Sequence, residues 1–219
     1  MTNNVTKNVE KNAKKLVSGV KVIQLSVGGF DNNFTYIVVG ENNSAIMIDP
    51  TGTKKVIEET IKNNKLNIVA QLVTHSHPDH CELVDYFEKK GIKLVEFDLK
   101  KSFEEKETIL GGIKIKTILV PGHMSDSKCY IIENNIFTGD TLFVKGVGTT
   151  HYGGNDLELE KSLNYLTTLD PNLILWPGHN YGGASSTLRT ALNNSFNKPS
   201  KKTQDKLKTK VKEYEKTKR

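Results

Sequence analysis

Short β-branched runs and one amphipathic helix alternate along the first third of the chain. VKVIQLS ending at Ser26, FTYIVVG from Phe34 and SAIMIDP ending at Pro50 are separated by Gly, Asn and Asp, and each predicts a strand. Val56, Ile57, Thr60 and Ile61 recur at helical spacing within Thr53 to Lys65, so a helix is expected there. NIVAQLVT, Asn67 to Thr74, predicts a fourth strand, and its end delivers His75, Ser76 and His77.

The second part repeats the theme. Cys81 to Lys90 reads as a helix with Leu83, Val84 and Phe87 inward, and Gly91 closes it. Ile113 to Val120, Lys128 to Glu133 and Asn135 to Thr138 predict strands, the last two joined by a hairpin turn at Glu133-Asn134-Asn135. Asp156 to Leu169 predicts a helix with Leu157, Leu159, Leu163 and Leu166 available for burial, and Asn172 to Trp176 a strand ending at Pro177, with Trp176 in the core. From Ser200 onward Leu207, Val211 and Tyr214 form one narrow apolar stripe on a charged helix. Strands, helix and strand in each half fit a two-layer sheet core with helices outside.

Composition sets the class. The 219 residues are 36% hydrophobic and 26% charged, enough to bury a core, which excludes disorder throughout. No apolar run approaches the roughly 20 residues of a membrane helix. The polar start MTNNVTKNVEKNAKK lacks the apolar stretch of a secretory signal, so a cytoplasmic location is expected. Cys81 and Cys129 lie outside any CxxC pair and make no disulfide framework, in keeping with a reducing compartment. The net charge of +6 invites a nucleic-acid reading, but residues 197–219 hold ten Lys or Arg against Asp205, Glu213 and Glu215. The tail therefore carries +7 and the body −1. A nuclease or nucleic-acid-binding function ranks last.

Three of the six histidines, His75, His77 and His80, fall in one window with Asp79. In a loop leaving a strand, His75 and His77 can point to the same side while Asp79 and His80 bend round to a second position. Pro121-Gly122-His123, Thr138-Gly139-Asp140 and Pro177-Gly178-His179 each place a further candidate ligand just after a strand. Glycine before each allows close backbone approach. Imidazole and carboxylate without thiolate favour zinc, iron or manganese at a reactive site.

These residues resemble the metallo-β-lactamase superfamily, whose fold is α/β, an αβ/βα sandwich of two mixed sheets packed face to face with helices outside. The resemblance covers about Val20 to Asn197, including Asp31-Asn32-Asn33-Phe34 and Ile48-Asp49-Pro50. It implies a polar extension over 1–19, the metallo-β-lactamase-like domain over 20–197 and a basic helix over 198–219. Gly139 to Phe143, Gly146-Val147-Gly148, His179-Asn180-Tyr181-Gly182 and Ser185-Ser186-Thr187 look most like the glyoxalase II and persulfide dioxygenase branch. The resemblance implies two divalent metal ions, zinc first, with iron or manganese as alternatives. His75, His77 and His123 would hold one, Asp79, His80 and His179 the other, and Asp140 would bridge them. Asp79 and Asp140 would be the catalytic carboxylates, although with a single metal Asp79 would orient water instead. The implied reaction is hydrolysis of a small acyl substrate, a thioester or lactone, by a metal-activated hydroxide.

Departures from the branch matter. Relatives carry GCGR after the Asp, where this chain has Gly146-Val147-Gly148-Thr149, so the loop lacks that cation. About forty residues follow His179, too few for the helical domain with which glyoxalase II grips glutathione, and a glutathione thioester is not expected. Cys81-Glu82-Leu83 replaces the small AGG-type segment. Cys81 has no free base to activate it and reads as a small buried helix residue. His151, on a loop expected to cover the site, and Tyr181, a candidate oxyanion donor, are the substrate-contact candidates. The first alternative function is an iron persulfide dioxygenase with His75 or its neighbour, His123 and Asp140 as a facial triad. A homodimer is compatible with the sequence.

Overall fold

A computed structural model describes residues 19–28, 31 and 33–196. The charged segment from Ser200 with its Leu207, Val211, Tyr214 stripe, and the extension over 1–18, lie outside the described residues. The strands are β1 (Lys21–Ser26), β2 (Phe34–Val39), β3 (Ser44–Ile48), β4 (Asn67–Leu72), β5 (Glu105–Leu110), β6 (Ile113–Leu119), β7 (Lys128–Ile132), β8 (Asn135–Gly139), β9 (Ile174–Pro177) and β10 (Ser186–Thr187). The helices are α1 (Lys54–Asn63), α2 (Pro78–Cys81), α3 (Val84–Glu88), α4 (Asp156–Leu166) and α5 (Leu188–Phe196).

The strands form two mixed sheets, in the orders β1-β2-β3-β4 and β10-β9-β8-β7-β6-β5. Each contains one parallel pair, β3 with β4 and β8 with β9, and a helix crosses over between the partners, α1 in the first sheet and α4 in the second. Their inner faces bury Tyr36, Val38, Ile46, Ile48 and Leu72 against Ile115, Tyr130, Ile132, Phe137 and Trp176. Burying an aliphatic or Phe side chain of this size stabilises by about 1.5–3 kcal/mol. Tyr36 meets Phe137 edge-on at 5.2 Å, and the Trp176 indole donates to Asn135 Oδ1 at 2.9 Å, so the polar handles of this core are satisfied. Ile57 and Phe87 cover the outer face of the first sheet. Leu159, Leu163 and Leu166 of α4 and Leu188, Ala191 and Leu192 of α5 cover the second. The result is the expected αβ/βα sandwich.

Several expectations need correction. The helix over Cys81 to Lys90 is interrupted at Glu82-Leu83, because the Leu83 amide bonds to Pro50 O at 2.9 Å instead of continuing the helix. Gly91 does close it, at φ +88°. Leu157 is 50% exposed, since the first turn of α4 turns it away from the sheet. Strands β5 and β10 and helix α5 are additions to the predicted set.

Strand direction places the chemistry. β6 and β8 are both antiparallel to β7 and so run the same way, and β9 is parallel to β8. Their C-terminal ends therefore meet at one edge of the sandwich. The Lys128 amide bonds to Thr74 O at 2.7 Å and the Phe34 amide to Gly178 O at 2.9 Å, which ties the first sheet, including the end of β4, to that edge.

Candidate metal centre

Seven side chains converge where these strands stop. His75 and His77 follow β4, Asp79 and His80 sit on the single turn of α2, His123 follows β6, Asp140 follows β8 and His179 follows β9. Asp140 and the histidines other than His77 are buried, whereas His77 and Asp79 are half-buried. Every metal ligand expected from the sequence is in this cluster.

In one set, His75 Nε2 and His77 Nδ1 are 3.1 Å apart, and His123 Nε2 lies 3.2 Å from the first and 2.9 Å from the second. In the other, His80 Nε2 and His179 Nε2 are 3.3 Å apart, with Asp79 Oδ2 3.8 Å and 3.4 Å from them. Asp140 stands between the sets: Oδ1 is 3.3 Å from His80 Nε2, and Oδ2 is 3.2 Å from His179 Nε2 and 3.7 Å from His123 Nε2.

The donor set fits a divalent cation better than it fits internal hydrogen bonding. A proton can be shared along only some edges of a triangle of ring nitrogens, while ligands bound at about 2.0–2.1 Å in tetrahedral geometry approach one another about this closely. Asp140 Oδ1 is also buried without a hydrogen-bond partner, which a bound cation would satisfy.

The outer nitrogens are held in place. His80 Nδ1 meets Asp49 Oδ2 at 2.9 Å, His123 Nδ1 donates to Thr149 O at 2.6 Å, His179 Nδ1 donates to Asp31 O at 2.6 Å and His75 Nδ1 lies 3.1 Å from Thr74 Oγ1. Such contacts fix the tautomer and turn Nε2 inward. Asn33 Nδ2 donates to the backbone oxygen of Asp79 at 2.9 Å and to its Oδ2 at 3.1 Å. Asp49, Asp31, Asn33 and Thr149 have no motif to announce this work. Only the Asp49-Pro50 strand end and the Asp31 turn were visible, as part of a family pattern.

Electrostatics divide the two sets. Burial depresses the pKa of His75 to about 2, reinforced by the neighbouring His80, and burial likewise lowers His123. Burial opposes charge on His80 and His179 too, but the carboxylates outweigh it. Asp140 and Asp49 raise His80, and Asp140 with Asp79 carries His179 up to about 10. Asp79 is held well below the usual carboxylate range, first by its hydrogen bond with His179. His75 and His123 are thus held as neutral imidazoles, whereas the other set presents a field that holds positive charge.

Glycines make the close approach possible. Gly139 adopts φ +49° next to Thr74. A Cβ on Gly178 would stand 2.2 Å from Asp140 Oδ1 and 2.6 Å from His80 Cε1.

The remaining candidates lie around the rim. His151 is exposed and outside the ligand groups, and its loop reaches the site through Tyr152, whose carbonyl is 3.4 Å from His77 Nε2. The Tyr181 ring stacks on His179, centroids 5.2 Å apart, and its hydroxyl donates to Asp31 Oδ2. Cys81 is half-buried rather than buried; its thiol donates to His77 O at 3.3 Å, and burial raises its pKa, which opposes a thiolate. None of the described helices is long and apolar enough to cross a membrane.

Comparison with known proteins agrees with this architecture. Residues 28–96 match the metallo-beta-lactamase superfamily. The chain is 31% identical over 166 residues to the probable polyketide biosynthesis zinc-dependent hydrolase PksB of Bacillus subtilis, covering 68% of this chain and 74% of that protein. It is 32% identical over 165 residues to a hydroxyacylglutathione hydrolase of Francisella philomiragia, covering 68% of this chain and 63% of the relative. Among solved structures, ETHE1 from Myxococcus xanthus has a TM-score of 0.66 at 24% identity, over 77% of this chain and 80% of that one. The BLEG-1 B3 metallo-beta-lactamase has a TM-score of 0.70 at 23% identity, over 81% of this chain and all of the other. With a sandwich of two mixed sheets, seven converging donors at one edge and relatives of this identity and coverage, the chain belongs to the metallo-β-lactamase superfamily.

Proposed function

We propose that this protein is a zinc-dependent hydrolase that cleaves a small acyl thioester, with a lactone as the second substrate class, at a binuclear site. The observation that carries the reading is the placement of Asp140 between two complete sets of three donors. Relatives named as a zinc-dependent hydrolase and as hydroxyacylglutathione hydrolases support the metal and the acyl bond. His75, His77 and His123 would hold one ion, Asp79, His80 and His179 the second, and Asp140 would bridge them. When bound, two such ions supply a hydroxide at neutral pH and polarise an acyl carbonyl.

The chain's own residues favour a thioester. Asp79 Oδ2, bonded by Asn33 and His179, is kept anionic, and a carboxylate so stabilised is a poor base. Its role is to hold charge and orient. The Tyr181 hydroxyl is already committed to Asp31, and its pKa is raised by burial and by that bond, so it is a weak proton donor. A site whose Asp79 and Tyr181 are both poor proton donors suits a leaving group that departs as an anion, and a thiol of pKa about 8.5 does so far more readily than the alcohol of a lactone.

Metal analysis and a panel of thioesters and lactones test the reading. Two zinc ions per chain and thioester turnover are expected, and Asp140→Asn should lower metal occupancy and reduce kcat by about 100-fold or more. Wild-type turnover in Asp140→Asn overturns it. One iron per chain with oxygen uptake on a persulfide would replace it with the dioxygenase.

A further inference from the structure

We propose that Lys145 is the contact for an anionic group on the leaving half of the substrate, so that the preferred thioester is one whose thiol carrier bears phosphate. This rests on the thioester reading above and specifies its carrier.

Lys145 is exposed, and its ammonium makes no ion pair among the described residues. Its backbone and stem are held all the same. The Lys145 amide donates to Tyr181 O at 3.0 Å, and its Cβ, Cγ and Cδ lie 2.5–2.7 Å from where a Cβ on Gly182 would stand. Glycine at 182 thus leaves a groove in which the lysine stem lies beside Tyr181, the residue stacked on His179. An exposed lysine without an ion pair among the described residues, its stem beside Tyr181, has its ammonium within reach of the His179 side of the centre, where it is suited to a phosphate.

The same loop is tied to the metal ligands and to the last described helix. Gly148 N donates to Asp140 O at 2.8 Å, and Thr149 O accepts from His123. From α5, Asn194 Nδ2 donates to Val144 O at 2.9 Å and Ser195 Oγ to Gly146 O at 3.2 Å. The cation also differs in placement from the one expected at the position of Thr149. That residue is a threonine whose carbonyl serves His123, whereas Lys145 stands on the His179 side.

The test compares acetyl-coenzyme A with the acetyl thioester of N-acetylcysteamine, which share the acyl group and differ in the charge of the thiol. In Lys145→Met, which keeps the stem and removes the charge, the ratio of KM for the anionic thioester to KM for the neutral one should rise about 2–5-fold, the size expected of one exposed ion pair. Lys145→Glu should raise it further, and 0.5 M salt should narrow the gap between wild type and variant. Calorimetric binding of S-ethyl-coenzyme A, a thioether that cannot be hydrolysed, to the metal-loaded protein gives the second readout, with Kd weakened by the same factor. An unchanged KM ratio, or an equal rise for both thioesters, overturns the proposal. If no thioester is hydrolysed, the functional reading falls, and thioether binding decides alone: weakened binding in Lys145→Met upholds the lysine's role and unchanged binding ends it.

Discussion

Asp49 shows how much one side chain outside the ligand set can control. Its Oδ1 accepts from the Thr74 amide at 2.7 Å, and its Oδ2 accepts from Thr74 Oγ1 at 2.7 Å while facing His80 Nδ1 at 2.9 Å. Both oxygens are therefore occupied in holding the end of β4 and the ring of His80. Asp49→Asn replaces one acceptor by a donor at a buried position, so His80 loses its orientation as well as its compensating charge. Affinity for the second metal should fall about 10–100-fold, read by competition with a chelator, while the first site is weakened less. Equal weakening of both sites would mean that Asp49 serves the loop as a whole and not His80.

At the scale of elements, the site is a product of strand ends. Glycines permit the turns there, and Gly178→Ala tests that directly: at its backbone conformation an alanine is allowed, yet its methyl would overlap Asp140 and His80. The expected result is a folded protein by circular dichroism that binds at most one metal and loses about 100-fold or more in turnover. The converging donors were legible in the sequence because His75, His77, Asp79 and His80 share one loop and each later donor follows a glycine after an apolar run. β5 escaped because its residues Glu105, Lys106 and Glu107 are exposed on an edge strand, where no apolar alternation is required. α5 did carry a signal, since Leu188, Ala191 and Leu192 stand at i, i+3 and i+4, but three apolar positions in a segment rich in Asn, Thr and Ser are a faint stripe. The break at Glu82-Leu83 depends on Pro50, 33 positions away in the chain, and local periodicity contains no trace of such a contact. The roles of Asp31 and Thr149 are filled by their backbone carbonyls, which every residue type possesses.

On the scale of the whole molecule, the first sheet's half of the chain supplies His75, His77, Asp79 and His80, and the second supplies His123, Asp140 and His179. Each proposed metal position draws on both halves. The centre thus closes the seam between two layers that elsewhere meet through side-chain packing. An ion held there behaves as a clasp, and opening the sandwich at this edge and releasing the ion become one event.

That coupling makes the protein's melting temperature a gauge of its surroundings. A ligand that binds only the closed form adds about 2.7 kcal/mol at a free concentration 100 times its Kd, and each further tenfold adds about 1.4 kcal/mol. For a chain of this size each kcal/mol moves Tm by about 2–4 °C. Stepping buffered free zinc through decades should therefore raise Tm in even increments of about 3–6 °C, measured by scanning calorimetry. A midpoint indifferent to zinc would show that the layers stay together without their clasp. In the expected case, a cell's supply of free metal would set how long each copy of this enzyme survives in its closed form.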